Sequence, residues 1–165
     1  MRFLDEKFTK YPGAYFLQSL LASGAVLVVL VLLDAIHQEA IVASLGATAF
    51  TIFAMPCTAA ARPRVVVPGY VIGAAVGTAC HGLAAYGIGD PMLGRYLTMG
   101  FASLAVGLTI LLMTVTNCEH APAAGVALGL VIQQWSLVVV TVVLVGVVVL
   151  CLVKSALDRW LKDLV

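Results

Sequence analysis

The residues best suited to chemistry stand at the start of a short apolar stretch in the second half of the chain. His120 is followed by Ala121 and Pro122, and apolar residues continue to Ile132. Proline fits the first turn of a helix, because its missing N–H would have no partner there. The remaining N–H groups and the dipole of a helix start favour an anion. His120, Pro122 and Gly125 are therefore predicted to belong to an anion site.

A simpler interpretation applies to the polar residues just before this stretch. Asn117 and Glu119 can cap a turn at the surface. We favour this role for Glu119, because a fixed carboxylate opposes an anionic ligand. For His120, the sequence leaves the capping role and the binding role equally open.

A second short apolar stretch, in the first half of the chain, carries a comparable set of small and hydroxyl residues. Ser44 and Thr48 are four residues apart, so they share one helix face and could donate to an anion or to a backbone carbonyl. For Gly46 alone, close helix packing is the commoner explanation. Because the pattern occurs twice, all three residues are predicted to line the site.

Two arginines, Arg62 and Arg64, flank Pro63 after the first of these stretches. A guanidinium keeps its charge and binds oxyanions through two parallel hydrogen bonds, so the pair could attract an anion to a pore mouth. Binding of lipid phosphate by arginines that fix the topology is the alternative, and the two roles are compatible. Both residues are included in the predicted site.

The composition excludes a water-soluble fold. Of the 165 residues, 62% are hydrophobic and 10% charged, and the mean hydropathy is +1.10. A soluble domain has about 25% charged residues. The formal net charge of +1 does not suggest a nucleic-acid partner. The four cysteines are scattered and no catalytic motif is present, so we predict no metal site, no cofactor and no enzyme activity.

Six apolar segments follow one another, and the order long, short, long occurs twice. This order predicts an all-α, polytopic membrane protein with four long transmembrane helices and two short half-helices. The whole chain, 1–165, forms one membrane domain with a first repeat at about 15–88 and a second at about 96–153. An amphipathic interfacial helix is predicted over 154–165, because one stripe carries Leu157, Trp160, Leu161 and Leu164.

The lysines and arginines indicate the topology. They cluster before the first segment (Arg2, Lys7, Lys10), at 62–64 and after the last segment, so these regions should be cytoplasmic, whereas the loop 34–39 has none and should lie outside. Residues 40–61 would then cross back, the repeats would be inverted, and the two short-helix starts would meet near the midplane. If the short segments instead dip in and return, Arg62 and Arg64 lie outside and the repeats are parallel. The positive-inside rule favours the inverted arrangement.

Glycine recurs at every fourth position of the third segment, as Gly69, Gly73 and Gly77. Such a run exposes backbone along one helix face and predicts close packing against another helix. The sequence does not say whether that helix belongs to the same chain.

At these residues the chain resembles the HPP family of integral membrane proteins. One block runs from Ala43 through Thr48 to Arg62-Pro63-Arg64, and His120-Ala121-Pro122-Ala123 is similar to the His-Pro-Pro-Ala signature of the family. The likeness covers roughly residues 15 to 153. The chain departs from the family pattern at three positions, Ala121 for the first proline, Val65 for an asparagine and Tyr70 for a histidine.

The resemblance implies four transmembrane helices and, from plastid and cyanobacterial relatives, nitrite transport. Together with the half-helix starts, it predicts a small-anion transporter or channel for nitrite or a similar oxyanion. We expect a homo-oligomer in the lipid bilayer of a bacterial plasma membrane, with both termini in the cytoplasm. The alternative is a membrane assembly protein that docks a larger partner through its glycine-rich helix faces.

Overall fold

The computed structural model describes residues 10–33, 39–85, 91–133 and 135–165, and this part of the chain contains helices and no strand. Arg2, Lys7 and positions 34–38 of the predicted outer loop lie outside it. A 3₁₀ helix, Ala59–Ala61, accompanies six α-helices, which are α1 Pro12–Leu33, α2 Glu39–Ala54, α3 Pro63–Ala84, α4 Pro91–Val115, α5 Ala121–Ile132 and α6 Leu137–Leu157. The predicted all-α class is confirmed.

Three helices, α3, α4 and α6, are long and apolar enough to cross a membrane, as judged by length and composition. Helices α2 and α5 have only 16 and 12 residues, as predicted for the two short segments. The stretch Pro12–Val28 of α1 also falls among the shorter apolar helices. The described residues therefore hold three candidate spans, whereas the sequence predicted four long transmembrane helices. These spans indicate an integral membrane protein.

Helix α5 is the central helix of the bundle, packed against α2, α3 and α4. Small residues allow this position, because a Cβ atom at Gly73 of α3 would overlap the carbonyl oxygen of Ala123. A Cβ atom at Gly77 would lie 2.9 Å from Cα of Ala127. The backbones of α3 and α5 thus touch along the glycine run. The predicted close packing is confirmed, and its partner helix lies in the same chain.

The contacts of α5 also give the directions of its neighbours. Positions 69, 73 and 77 of α3 face positions 120, 123 and 127 in rising order, so α3 and α5 are parallel. Along α2 the order is reversed, because position 48 contacts position 120 while position 41 faces position 129. The short helices α2 and α5 are therefore antiparallel. The end of α2 and the starts of α3 and α5 lie at one end of the bundle.

A set of buried polar contacts ties α1 to the last residues of the chain at this same end. Nε2 of Gln18 donates to the carbonyl oxygens of Phe53 and Lys162, at 2.5 and 2.7 Å. Its Oε1 accepts from the backbone N–H of Lys162 at 3.1 Å. The hydroxyl of Tyr15 donates to the carbonyl oxygen of Leu164 at 2.7 Å. We call Gln18, Tyr15 and the backbone groups that they bind the Gln18 cluster.

The C-terminal segment differs from the predicted amphipathic helix over 154–165. Helix α6 ends at Leu157, residues 158–160 form a turn, and residues 161–165 are not helical. The N–H of Leu164 instead donates to the carbonyl oxygen of Ala54 at 2.9 Å. The last carbonyls of a helix have no partner within it, so the tail completes the end of α2. These tertiary hydrogen bonds replace those that a helix would make.

Candidate functional site

His120 is the central residue of the candidate site, and the turn before it carries its side chain into the protein. Asn117 adopts the left-handed conformation, with φ of 52°, and the N–H of Cys118 donates to the carbonyl oxygen of Met113 at 3.0 Å. This is the geometry that ends a helix and reverses the chain. His120 then precedes the first residue of α5 and has no solvent exposure.

Both nitrogens of the His120 ring have partners. Nδ1 lies 2.9 Å from the carbonyl oxygen of Ala60 in the 3₁₀ helix, and Nε2 lies 2.8 Å from Oγ1 of Thr48 on α2. The same Oγ1 lies 2.6 Å from the hydroxyl of Tyr70 on α3, which also contacts the carbonyl oxygen of Ser44 at 3.1 Å. We call His120, Thr48, Tyr70 and these two carbonyls the His120 cluster.

The partner of Nδ1 fixes where one ring proton resides. A carbonyl oxygen only accepts hydrogen bonds, so Nδ1 must carry a hydrogen. His120 lies in the connection before α5, outside the three candidate spans. Burial lowers its pKa from the ordinary value, because a charged ring is poorly solvated there, and the bond to the Ala60 carbonyl acts in the opposite direction.

Room for this ring comes from a glycine on the neighbouring helix. A Cβ atom at Gly69 would lie 3.2 Å from Cβ of His120 and 3.1 Å from the carbonyl oxygen of Cys118. Any larger residue would push the turn away from α3. The first glycine of the run therefore positions the site, while the other two hold the helices together.

An open groove of about 750 Å³ runs between α2 and α5 beside this cluster. Ser44 lines it from α2, while Ala121, Pro122 and Gly125 line it from α5. The Ser44 hydroxyl donates to the carbonyl oxygen of Ala40 at 2.8 Å, and a Cβ atom at Gly125 would collide with its Oγ. The His120 ring does not cap α5. Within that turn Pro122 has no N–H, and the N–H of Ala123 donates to the carbonyl oxygen of His120 at 2.9 Å.

The structure brings together five of the eight predicted site residues and leaves three apart. Ser44, Thr48, His120, Pro122 and Gly125 surround the groove or the His120 cluster. Gly46 points elsewhere, since a Cβ atom there would meet nothing within 4 Å, and it lines a separate groove with α1. Arg62 and Arg64 are exposed at the start of α3, outside the hydrogen bonds of the cluster.

One feature of the predicted site geometry is wrong. Helix α2 begins at Glu39, so Ser44 and Thr48 lie in its second and third turns, and only α5 presents its start to the site. Along α3 the site lies nearer to the start of the helix than to its middle. Tyr70 comes seven residues after Pro63, about 10 Å along a helix that is about 33 Å long at 1.5 Å per residue. The depth of the site in the bilayer stays a prediction.

Tyr70 belongs to the site although sequence analysis gave it no role there. Its side chain is fully buried on α3. A phenol inside an apolar segment needs a hydrogen-bond partner, and this was the signal available. The carbonyl partners at Ala60 and Ser44 leave no signal at all, because every residue carries a carbonyl.

Groups that could hold a metal ion do not occur among the residues that the structure describes. The buried thiol of Cys118 lies 2.8 Å from Oγ1 of Thr116, at the turn before the site. This thiol therefore serves the local turn.

The fold and the site define a class: a small helical membrane protein in which a buried histidine, His120, precedes a short central helix. The transmembrane region of the HPP family matches residues 9–163. The chain therefore belongs to the HPP family. No curated protein and no solved structure matches it.

Proposed function

We propose that this chain transports a small inorganic anion, with nitrite as the first candidate, along the groove between α2 and α5. The observation that carries the proposal is the start of α5, which opens into the groove without a side-chain cap and has the imidazole of His120 fixed behind it. The positive end of the helix dipole favours an anion at this place.

The strength of such a site suits passage better than storage. A helix start stabilises a negative charge by roughly 0.3 to 2 kcal/mol. A buried arginine would bind an oxyanion more tightly and delay its release, and conduction requires that an ion can leave. Arg62 and Arg64 are exposed at the start of α3, so in this proposal they attract anions to the entrance.

We further propose that α1–α3 and α4–α6 are inverted repeats, with the positively charged end of the bundle in the cytoplasm. The antiparallel course of α2 and α5 supports the inversion. Contacts of the start of α1 with residues 162–164 support a common side for both termini and Arg62–Arg64. Single cysteines at positions 63 and 163 in a background without other cysteines should react with an impermeant reagent from one side only. Opposite labelling would contradict the inverted repeat.

The transport proposal is tested by anion flux into proteoliposomes that contain the pure protein. Nitrite, nitrate, formate and chloride form the panel. His120→Ala should lower flux of the transported anion, and Gly125→Val should block the groove while leaving His120 intact. Gly107→Ala is the matched control, because a Cβ atom there meets nothing within 4 Å. If both variants fold and carry every anion at the parent rate, the site lies elsewhere.

The assembly-protein alternative has less support. Its proposed docking face was the glycine run of α3, and α5 of the same chain covers that run. A homo-oligomer remains our expectation, to be measured by the mass of the protein in nanodiscs. Absence of flux for every anion, with the protein folded, would favour the assembly role over transport.

A further inference from the structure

The His120 cluster is a chain of hydrogen bonds whose two ends are fixed and whose middle is not. Carbonyl oxygens of Ala60 and Ser44 terminate it, and carbonyls only accept. Between them stand the ring of His120 and the hydroxyls of Thr48 and Tyr70, each of which can donate or accept. The number of hydrogens in the chain therefore decides the direction of its bonds.

With a neutral ring, the hydrogen bonds run toward His120. Nδ1–H donates to the Ala60 carbonyl, so Nε2 must accept, and the Thr48 hydroxyl donates to it at 2.8 Å. Oγ1 of Thr48 then accepts from the Tyr70 hydroxyl at 2.6 Å. In this arrangement, the carbonyl of Ser44 receives nothing from Tyr70, and it retains its place in the helix.

With one more hydrogen, every bond in the middle reverses. Nε2–H donates to Oγ1 of Thr48, the Thr48 hydroxyl donates to Tyr70, and the Tyr70 hydroxyl donates to the carbonyl oxygen of Ser44 at 3.1 Å. No heavy atom has to move, because the same distances serve both directions. Each donor has an acceptor in this state too, so a charged ring is not left without partners.

We propose that the His120 cluster binds one proton, which enters at the Tyr70 hydroxyl and comes to reside on the imidazole of His120. The proton attaches to Oη of Tyr70, the Tyr70 hydrogen moves to Oγ1 of Thr48, and the Thr48 hydrogen moves to Nε2. Three O–H or N–H bonds form, while two O–H bonds of the cluster and one O–H bond of the donor, a hydronium ion, break, and the net products are an imidazolium and water. Ser44, at the entry end, lines the groove.

Among the residues that the structure describes, the groups around the cluster give this proton no fixed counter-charge. Glu119, beside His120 in the chain, is exposed, and Cys118 is occupied by Thr116. From α6, the thiol of Cys151 faces Tyr70, and Lys154 is paired with Asp158 at 3.0 Å. From α2, the hydroxyl of Thr48 and the carbonyl oxygen of Ser44 contact the cluster, and both are uncharged.

A consequence for transport follows, and it rests on the proposed function. An imidazolium beside the start of α5 would stabilise an anion in the groove, and the anion would stabilise the imidazolium. Proton and anion would then cross together as a neutral pair. A weak acid such as nitrous acid has this composition.

The test is ¹⁵N NMR of protein in nanodiscs with labelled histidine, in which His120→Asn identifies the signal. At high pH the ring should carry its hydrogen on Nδ1, and lowering the pH should add one on Nε2. Thr48→Val should lower the midpoint by about one pH unit, because the charged ring loses more than the neutral one. Thr48→Ser should restore it, and Thr141→Val, whose hydroxyl bonds only within α6, should leave it unchanged.

Two outcomes separate this inference from the transport proposal. A ring that stays neutral down to about pH 4, or carries its hydrogen on Nε2 at high pH, overturns the proton site even if anions cross. A ring that titrates as expected in a protein without anion flux overturns the transport proposal and leaves the proton site standing. A midpoint equal in wild type and Thr48→Val also contradicts the hydrogen-bond chain.

Discussion

Two buried polar clusters lie at the same end of the bundle, and they differ in whether their hydrogen bonds can reverse. In the Gln18 cluster every contact joins an amide or a phenol to backbone, so each donor and acceptor is fixed. In the His120 cluster two of the four contacts join groups that can both donate and accept, namely Nε2 of His120 with Oγ1 of Thr48 and that Oγ1 with the Tyr70 hydroxyl. The first cluster can only hold the chain ends in place, whereas the second can change state without moving.

This difference shows that burial alone does not mark a functional group. Gln18 and His120 are both buried almost completely. Their chemistry separates them, because an amide has no titration near neutral pH and an imidazole does. A substitution in the Gln18 cluster should therefore lower the stability of the protein equally at every pH. A substitution in the His120 cluster should change the stability by an amount that depends on pH.

The largest loss of stability is expected where the backbones of α3 and α5 are in contact, next to the His120 cluster. Gly73→Ala places a methyl group on the carbonyl oxygen of Ala123, so α3 and α5 must separate. We expect a loss of at least about 3 kcal/mol of stability, seen as a lower unfolding temperature in detergent. Gly100→Ala, with nothing within 4 Å of the added atom, is the control. Equal unfolding temperatures would mean that α3 and α5 are not tightly packed at Gly73.

Removal of the amide of Gln18 should have the next largest effect. Gln18→Met keeps the length of the side chain but leaves the carbonyls of Phe53 and Lys162 without this donor. We expect a loss of about 2 to 3 kcal/mol at every pH, and faster digestion of the C-terminal tail by carboxypeptidase. Leu20→Met, on the exposed side of α1, should change neither measurement. A loss of stability that depends on pH would contradict the proposed difference between the Gln18 cluster and the His120 cluster.

The pH dependence of stability should come from the His120 cluster. Because burial lowers the pKa of His120 below its ordinary value of 6.5, the unfolded chain takes up this proton more readily than the folded one. Above about pH 6.5, His120 therefore leaves the free energy of unfolding unchanged. Below that pH, it lowers the free energy of unfolding by up to about 1.4 kcal/mol per pH unit. Chemical unfolding of the wild type and of His120→Asn should diverge in this range. Parallel curves would show that His120 does not titrate there.

A smaller effect is expected at the wall of the groove. The Cβ atom added by Gly125→Ala would strike only the side chain of Ser44, whose hydroxyl can rotate. We expect a cost of about 1 kcal/mol, most of which should disappear in the double variant Gly125→Ala, Ser44→Ala. Additive losses in the double variant would mean that another contact separates the helices.

The sequence predicts the helices well and the site in part. Hydrophobic runs and prolines locate α3, α5 and α6, and the spacing of Ser44 and Thr48 places both hydroxyls beside α5. The apolar run predicts a start of α2 near Ala40, one residue from the observed start at Glu39. The stretch from Ser44 to Thr48 was wrongly taken for the helix start at the site, because the small residues around Gly46 resemble those around Gly125.

The contacts that the sequence could not predict involve backbone carbonyls as acceptors, or hydrogen bonds between residues far apart in sequence. Ala60 binds His120 through its carbonyl, which has no side-chain signature. A lone Gln18 in an apolar helix says nothing about a partner 144 residues away. The apolar stripe after Leu157 has helical spacing, but main-chain bonds to the end of α2 override that local preference.

The Gln18 cluster also sets the order in which the protein can be completed during synthesis. Its contacts join residues 144 and 149 positions apart, so α1 and α2 enter the bilayer long before residues 162 and 164 leave the ribosome. At about 5 to 20 residues per second, the buried amide of Gln18 waits at least several seconds for its last partners. During that interval the membrane insertion machinery or water must satisfy it. A stalled or truncated chain that lacks residues 162–164 would keep this polar group exposed, which gives cellular quality control a feature by which to recognise it.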